Sequence, residues 1–217
     1  MKPTYLFDFD GTLVDSMPTF VAIMLRILDE EGIPYGEDIV GIITPLGYHG
    51  TAEYFRTLGV RASTESLIAR MNAYALSEYR ERILAKEGVA ETLRALRAQG
   101  ASLNVLTASP HAMLDSCLMR LGLFGLFDHV WSCDDFGTTK ADPNIYKMAA
   151  EKMGTTVDEV IFIDDNYNAD KTAKSAGMIV GGIYDKSSED YVDSIKEITD
   201  FYIYDFSELL RDRANSI

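Results

Sequence analysis

The sequence is poor in cysteine and has no long hydrophobic run. Its two cysteines, Cys117 and Cys133, show neither a CxxC motif nor a spacing that pairs them with histidine. This argues against a small disulfide-stapled domain and favours a reducing, cytoplasmic environment. No stretch approaches the ~20 consecutive apolar residues of a membrane-spanning helix. We therefore expect a chain without transmembrane segments.

Positive charge is also scarce. The chain has 20 Lys and Arg against 34 Asp and Glu, which gives a formal net charge of −14. An acidic surface repels nucleic-acid backbones and anionic lipids, so we expect neither as a partner. What the sequence does contain is apolar material, since 47% of its 217 residues are hydrophobic. That amount supports one or two compact domains with a real core. No feature indicates an oligomeric state.

After residue 88, patterns typical of helices and strands alternate. Apolar runs such as "SLNVLTA" and "EVIFID" predict strands, and the amphipathic segments between them predict helices. Two of these helices are expected to begin at a capping residue followed by proline, with Ser109 and Asp142 as the N-caps. Strands separated by helices predict an α/β fold, with a parallel sheet flanked by helices.

Residues 16–83 interrupt this alternation. Three segments there have helical periodicity, and no convincing strand lies between them. The first predicted strand precedes this insert and the others follow it. We therefore predict a discontinuous α/β core, residues 1–15 and 84–217, and an inserted helical module, residues 16–83.

The first predicted strand ends in two aspartates, within "YLFDFDGT". Asp8 and Asp10 are separated by one residue, so their side chains point to the same side. Two carboxylates this close repel each other unless a cation or a shared proton lies between them. An ordinary Asp-Gly turn explains Asp10 but not Asp8, which interrupts an apolar run. Because ligands of parallel α/β sheets bind beyond the carboxyl ends of the strands, this pair is a candidate site.

Two further loops carry polar residues shortly before the start of a predicted helix. Thr107 and Ser109 flank Ala108 after the strand "NVLT", directly before a predicted helix. Hydroxyls and free N–H groups at a helix N-terminus form a ready anion site, although this stretch taken alone favours an ordinary serine cap at Ser109. Lys140 stands two residues before the Asp142 cap. Taken alone, it has the character of a common surface lysine.

A last strand ends in an adjacent acidic pair, Asp164 and Asp165 in "VIFIDDN". Such a pair is costly at the end of a buried strand unless a cation compensates it, and an oxygen-preferring ion such as Mg²⁺ is the simplest candidate. For one of the two, a solvated loop acid is a credible alternative. Together, four acids indicate a metal, and a lysine with a hydroxyl near a helix N-terminus indicates an anion. A metal and an anion beside a nucleophilic carboxylate predict phosphoryl transfer.

These four loops resemble the four motifs of the haloacid dehalogenase-like hydrolase superfamily. "DFDGTLVDS" is similar to its first motif, "LTAS" to the second, "KADPNIY" to the third and "FIDDN" to the fourth, in the family's order. The resemblance implies a Rossmann-like core. The helical insert falls between the first and second motifs, as in the phosphoglycolate-phosphatase-like and phosphoglucomutase-like subgroup, where the insert is an α-helical cap.

The resemblance also implies a mechanism. Asp8 would attack phosphorus and form an aspartyl phosphate, and Asp10 would protonate the leaving oxygen and then activate water. The phosphoryl group would be bound by Thr107, the Ala108 N–H and Lys140. The implied function is that of a Mg²⁺-dependent phosphatase acting on a small phosphorylated metabolite.

The family's metal site implies a ligand set as well. Mg²⁺ would be held by Asp8, the backbone carbonyl of Asp10, Asp165 and Asp164, the last either as a ligand or as support behind the ligands. Many members carry a further acid four residues after the one matching Asp165, but here that position is Ala169. Asp170 comes one residue later, about 100° further round a helix, so we expect that it is not a ligand.

Three alternatives remain open from the sequence. A sugar-phosphate mutase of the same superfamily would keep this core, but the cap segments "MPTFVAIMLRIL" and "GYHGTAEYF" lack the histidine and the early arginine of mutase-like relatives. A receiver-like regulatory module would place its acidic pair first in the chain and would lack the helical insert. A catalytically silent binding protein is disfavoured because both Asp8 and Asp10 are present. Asp10 also favours phosphate esters over carbon–halogen bonds, because dehalogenases of the superfamily lack it.

Substrate specificity is expected to lie in the cap, because the core reads only phosphate. "LGYHGTAEYF" is the predicted specificity loop, with Tyr48 and His49 facing the leaving group. Two plainer interpretations are equally good, with His49 as a residue at a helix start and Tyr48 as part of the core of the cap.

Overall fold

The computed structural model describes residues 2–210, and a parallel β-sheet forms its centre. The strands are Thr4–Phe7 (β1), Ser102–Thr107 (β2), His129–Ser132 (β3), Val160–Asp164 (β4), Ile179–Ile183 (β5) and Phe201–Ile203 (β6). They lie in the order β3-β2-β1-β4-β5-β6, and all neighbours run parallel. The predicted α/β fold is confirmed. The predicted core also includes residues 1 and 211–217, which lie outside the described residues.

The α-helices fall into two groups along the chain. In chain order they are Met17–Glu31 (α1), Ile39–Ile43 (α2), Gly47–Thr57 (α3), Thr64–Glu81 (α4), Val89–Ala98 (α5), His111–Arg120 (α6), Asn144–Lys152 (α7), Tyr167–Ala176 (α8) and Val192–Ile198 (α9). The first four belong to the inserted segment, and the last five alternate with the strands of the sheet. Among residues 2–210, no helix is both long enough and apolar enough to cross a membrane.

β1 lies in the middle of the sheet because its side chains are apolar on both faces. Tyr5, Leu6 and Phe7 are at most 2% exposed, and a parallel strand covered on both faces needs apolar residues in succession. Phe7 is in register with Val105 of β2 and with Ile163 of β4. This register brings the carboxyl ends of the three strands to one edge of the sheet. The polar loops predicted to form a site begin at this edge.

One of the two predicted helix starts is wrong by one residue. α6 begins at His111, with Pro110 rather than Ser109 at the N-cap position. Pro110 has φ −69° and ψ 152°, which is extended backbone, so the helix starts only after it. The Ser109 hydroxyl donates to Asp10 Oδ2 instead. α7 begins at Asn144, but Pro143 already has helical φ −60° and ψ −18°. Asp142 Oδ1 accepts the Asn144 N–H at 2.9 Å, which is the capping contact expected of Asp142.

The chain forms two compact units, Met1–Asp15 with Leu84–Ile217, and Ser16–Ile83. Within residues 16–83 the structure describes α1–α4 and no strand. Arg70 ties α4 to α1, since it donates to Glu30 Oε2 at 2.8 Å and to Glu31 Oε1 at 2.6 Å. The four helices build a core of their own from Met24, Ile27, Ile43, Phe55, Leu67 and Met71.

The chain leaves the α/β unit and returns to it at neighbouring points. The Asp15 N–H donates to the Leu84 carbonyl oxygen at 3.0 Å. Val14 and Ala85 form an antiparallel bridge beside this bond. The two ends of the inserted unit are therefore held together by the backbone of the α/β unit.

Candidate active site

The turn after β1 carries the first two aspartates. The Asp8 N–H donates to Ile163 O of β4 at 2.9 Å, which extends the sheet pairing by one residue. The chain then turns at Gly11, whose φ is +78°. A Cβ at this position would lie 2.7 Å from Asp165 Oδ2. Both the backbone conformation and the available space therefore require glycine, and the turn lies directly against the loop after β4.

Three carboxylates converge at this edge of the sheet. Asp8, Asp164 and Asp165 have oxygen atoms that all lie within 4.8 Å of one another, and all three residues are buried. Burial and then repulsion from Asp164 raise the pKa of Asp165 well above its usual range. Burial raises the pKa of Asp8 to about 8, although Lys140 opposes this shift. A divalent cation would relieve this repulsion, and an all-oxygen donor set suits a hard ion.

Lys140 lies between two of these carboxylates. Its Nζ donates to Asp8 Oδ1, and to Asp164 Oδ2 at 2.8 Å. Burial alone would lower the pKa of Lys140, but Asp164 and Asp8 hold it well above its usual value, so the ammonium stays charged. The Tyr146 hydroxyl lies 3.2 Å from Lys140 O and 3.1 Å from Ala169 O. It thereby connects the third loop to α8, and Lys140 is a cation of the site rather than a surface lysine.

Thr12 is a member of the site that the sequence pattern does not predict. It is fully buried, and its Oγ1 donates to Asp165 Oδ1 at 3.0 Å. The two residues are 153 positions apart, so no local pattern reports the contact. A signal was nevertheless present, since Thr12 follows the Asp10-Gly11 pair in the same short loop.

The loop after β2 places a hydroxyl beside Asp10. Thr107 is 1% exposed, and its Oγ1 accepts the Ser109 N–H at 3.0 Å. Ser109 Oγ donates to Asp10 Oδ2 at 2.5 Å, which joins two loops that are 99 positions apart. Thr107 and Ala108 lie at the carboxyl end of β2, as predicted from the alternating pattern, and β2 neighbours β1 in the sheet. Their contact with a phosphoryl group stays a prediction.

Asp170 is buried close to the acidic cluster. It lies in α8 with 0% exposure, and neither carboxylate oxygen has a hydrogen-bond partner among residues 2–210. Burial, together with Asp164 and Asp165, raises the pKa of Asp170 well above its usual range. The three carboxylates with metal-ligand spacing do not include Asp170. Its exclusion from the ligand set stays a prediction. That Asp170 is buried and that Asp164 and Asp165 act on its pKa does not follow from its position on the helix alone.

The two predicted specificity residues lie in α3, within the Ser16–Ile83 unit. Tyr48 stacks on Phe20, with ring centroids 4.8 Å apart and an interplanar angle of 9°. The His49 side chain is 71% exposed, and its Nδ1 lies 3.9 Å from Glu53 Oε2. Their role in specificity stays a prediction.

The chain is similar to several known proteins. Residues 3–177 match the family model described as haloacid dehalogenase-like hydrolase. Over 180 residues the chain is 30% identical to the pyrophosphatase PpaX of Bacillus velezensis, covering 82% of this chain and 81% of that protein. Over 174 residues it is 27% identical to a phosphorylated carbohydrates phosphatase of Thermotoga maritima, covering 80% and 81%.

A solved structure has the same fold at lower identity. The HAD family hydrolase from Deinococcus radiodurans, with bound phosphate and sodium, matches with a TM-score of 0.78 and 24% identity. The match covers 99% of this chain and 96% of that one. At this level of identity the similarity concerns the fold.

Proposed function

The chain belongs to the haloacid dehalogenase-like hydrolase family, and we propose that it is a Mg²⁺-dependent phosphatase that acts through an aspartyl phosphate. The family predicted from the four motifs is confirmed. So is the phosphatase class, because relatives over four fifths of the chain are named phosphatases and pyrophosphatases. The proposed substrate is a small phosphorylated metabolite. The metal and the roles of individual residues are part of the proposal.

One observation carries the mechanism, namely the contact of Lys140 with Asp8 beside two further carboxylates. A carboxylate attacks an anionic phosphoryl group only if nearby positive charge offsets their repulsion. Lys140 supplies one such charge at the oxygen of the proposed nucleophile. The same ammonium also donates to Asp164, which holds it in place.

The proposed reaction has two steps. An Asp8 oxygen forms a bond to phosphorus while the bond from phosphorus to the leaving oxygen breaks, and Asp10 gives that oxygen a proton. Asp10 then takes a proton from water as the water oxygen attacks phosphorus. The bond between Asp8 and phosphorus breaks, and inorganic phosphate leaves. The Ser109 hydroxyl orients Asp10 for both transfers, and the remaining phosphoryl oxygens bind Thr107 Oγ1, the Ala108 N–H and Lys140 Nζ.

The residues present fit a magnesium ion. Asp8, Asp165 and the Asp10 carbonyl would hold it, with Asp164 as a ligand or as support for Lys140. When bound, the ion offsets charge on the phosphoryl oxygens. Buried carboxylate oxygens within 4.8 Å of one another are the observation that supports this assignment.

We also propose a cytoplasmic location and a specificity role for Tyr48 and His49. Cys117 and Cys133 are free, buried thiols, which suits a reducing compartment. The cap residues lie outside the α/β unit that carries the chemistry.

The test is phosphate release from a panel of small phosphate esters. Wild type is compared with Asp8→Asn, Asp10→Asn and the matched control Asp158→Asn, an exposed aspartate. We expect turnover in wild type and in the control, and its loss in the two site variants and on chelation of the metal. Turnover that survives in Asp8→Asn would contradict the aspartyl-phosphate step.

The same panel distinguishes a phosphatase from a sugar-phosphate mutase. A mutase moves the phosphoryl group between positions of a sugar phosphate and releases little of it. Isomerisation of a sugar phosphate without phosphate release would contradict the phosphatase proposal and support the mutase function.

A further inference from the structure

Lys86 is a partly buried cation outside the four motifs, at the point where the chain re-enters the α/β unit. Its backbone N–H donates to Leu13 O at 3.0 Å, next to the Val14–Ala85 bridge. The residue is therefore anchored to the segment that follows the first motif. Its side chain is only 20% exposed.

The Lys86 ammonium connects two loops at the carboxyl edge of the sheet. Nζ donates to Gly11 O at 2.7 Å in the loop after β1. It also donates to Tyr184 O at 2.7 Å and to Asp185 Oδ2 at 3.1 Å, both in the loop after β5. An ammonium group has three N–H donors. Each of them has an acceptor here, so Lys86 has the contacts of a structural clamp rather than those of a ligand-binding lysine.

The clamped residue Gly11 lies between two groups of the proposed site. The carbonyl of the preceding residue, Asp10, is a proposed metal ligand, and the following residue, Thr12, donates to Asp165. There is no space for a side chain at Gly11, because a Cβ there would collide with the Asp165 carboxylate. A shift of the Gly11 peptide would therefore displace the Asp10 carbonyl and the Thr12 hydroxyl together.

Asp185 completes the clamp. It is 5% exposed and accepts hydrogen bonds from Ser187 N at 2.9 Å and from Ser187 Oγ at 2.6 Å. Burial would raise the pKa of Asp185, but Ser187 and Lys86 hold it below its usual value, so it stays ionised. Its charge also acts on Asp165, and Lys86 offsets that charge.

We propose that Lys86 is a positioning residue that holds the Gly11 carbonyl, and through it the Asp10 carbonyl and Thr12, in the geometry that binds the metal. The inference rests on the proposed function. A purely structural role for Lys86 would make the protein less stable and leave its metal affinity unchanged.

The test compares Lys86→Met with wild type, Lys86→Arg and Lys186→Met. Met keeps an unbranched side chain of nearly the same length without a donor, and Arg keeps the charge. Lys86 and Lys186 both line a cavity of about 370 Å³, and Lys186 is exposed. Its replacement is therefore a matched control. The readouts are Mg²⁺ affinity by calorimetry, kcat and KM for the best ester of the panel, and Tm.

We expect Lys86→Met to weaken Mg²⁺ binding by about 10-fold, as loss of groups that orient metal ligands typically does. kcat at limiting Mg²⁺ should fall accordingly, while KM for the ester at saturating Mg²⁺ changes little. Lys86→Arg should recover part of the affinity, and Lys186→Met should match wild type. A Lys86→Met protein with lowered Tm but wild-type Mg²⁺ affinity would overturn the inference.

The two proposals fail in different ways. If wild type hydrolyses no ester, the proposed function fails, while the calorimetric comparison still tests the clamp. If Lys86→Met does not fold, Lys86→Gln is measured in the same titration, because its two N–H donors cannot bond all three acceptors of Lys86. Wild-type Mg²⁺ affinity in a folded Lys86→Gln protein would also overturn the inference.

Discussion

At the scale of single residues, the site is built from contacts between side chains that are distant in sequence. Ser109 reaches Asp10 across 99 positions and Lys140 reaches Asp8 across 132. Each contact joins a polar group of one loop to a carboxylate of another. The chemistry therefore depends on the relative placement of loops, and single substitutions that keep the fold can test it.

Ser109→Ala tests the contact with Asp10. Ser109 acts on the proposed proton carrier and not on substrate binding, so kcat should fall by about 10-fold, a fraction of what general acid–base catalysis contributes, with KM little changed. Steady-state kinetics measure this split. Ser116→Ala is the matched control, because Ser116 Oγ donates to Ala112 O within the same helix. An effect on KM alone would assign Ser109 to substrate binding instead.

Lys140→Met tests the charge beside Asp8. Removing a preorganised cation from the reacting group should lower kcat by roughly 10²- to 10³-fold. The measurement is single-turnover phosphate release, which isolates the chemical steps. Lys147→Met, at an exposed lysine of α7, should behave as wild type. Activity within a few-fold of wild type in Lys140→Met would contradict the proposed role of Lys140 in offsetting the charge of the phosphoryl group.

At the scale of elements, His111 connects α6 to the short 3-10 helix Cys133–Phe136. Its Nδ1 lies 2.9 Å from Asp115 Oδ1 and its Nε2 lies 2.8 Å from Asp135 Oδ2. Asp135 Oδ2 also accepts the Ser132 N–H at the end of β3. The imidazole thus links the start of one helix to the end of an edge strand.

This link predicts a pH dependence of stability. Asp115 and Asp135 raise the pKa of His111 above 6.5 in the folded protein. The imidazolium therefore stabilises the fold fully below the unfolded value of about 6.5, and the contribution disappears as the pH rises through the folded value. His111→Gln should lower the free energy of unfolding at pH 5.5 and much less at pH 9, as measured by urea denaturation. A pH-independent difference would show that packing, not charge, is involved.

The sequence predicts the elements that place the site better than it predicts the contacts within it. Apolar runs that end in acids reveal where β1 and β4 stop, and parallel pairing then brings Asp8 and Asp164 to one edge. Neither Thr12 nor Lys86 stands out, because their partners belong to other loops and no periodic pattern encodes such contacts. The Ser109 cap is wrong for a related reason, since a distant carboxylate takes the hydroxyl that local rules assign to a helix.

At the scale of the whole molecule, the three buried carboxylates oppose folding when no cation is bound. Mg²⁺ at 100 times its Kd would stabilise the folded state by about 2.7 kcal/mol. For a chain of this size, that corresponds to a rise in Tm of about 5–10 °C. Thermal unfolding with Mg²⁺ and with a chelator measures the difference.

Asp165→Asn should separate repulsion from binding. The substitution removes one of three mutually repelling charges and keeps an oxygen for the Thr12 hydroxyl. We expect a higher Tm than wild type without metal and little further rise with Mg²⁺. Asp158→Asn should keep the wild-type response. A full Mg²⁺-dependent rise in Asp165→Asn would place the ion elsewhere.

The closed junction between Asp15 and Leu84 has a consequence for how such a protein changes over evolutionary time. Each doubling in the length of a flexible loop costs only about 0.6 kcal/mol of closure entropy. A backbone hydrogen bond already holds Asp15 and Leu84 together. For the α/β unit, residues 16–83 are therefore equivalent to one long loop whose ends are already closed. Exchange of residues 16–83 for a helical module of another size is then expected to leave the chemistry intact. New substrate preferences can arise by recombination at these two positions without rebuilding the catalytic loops.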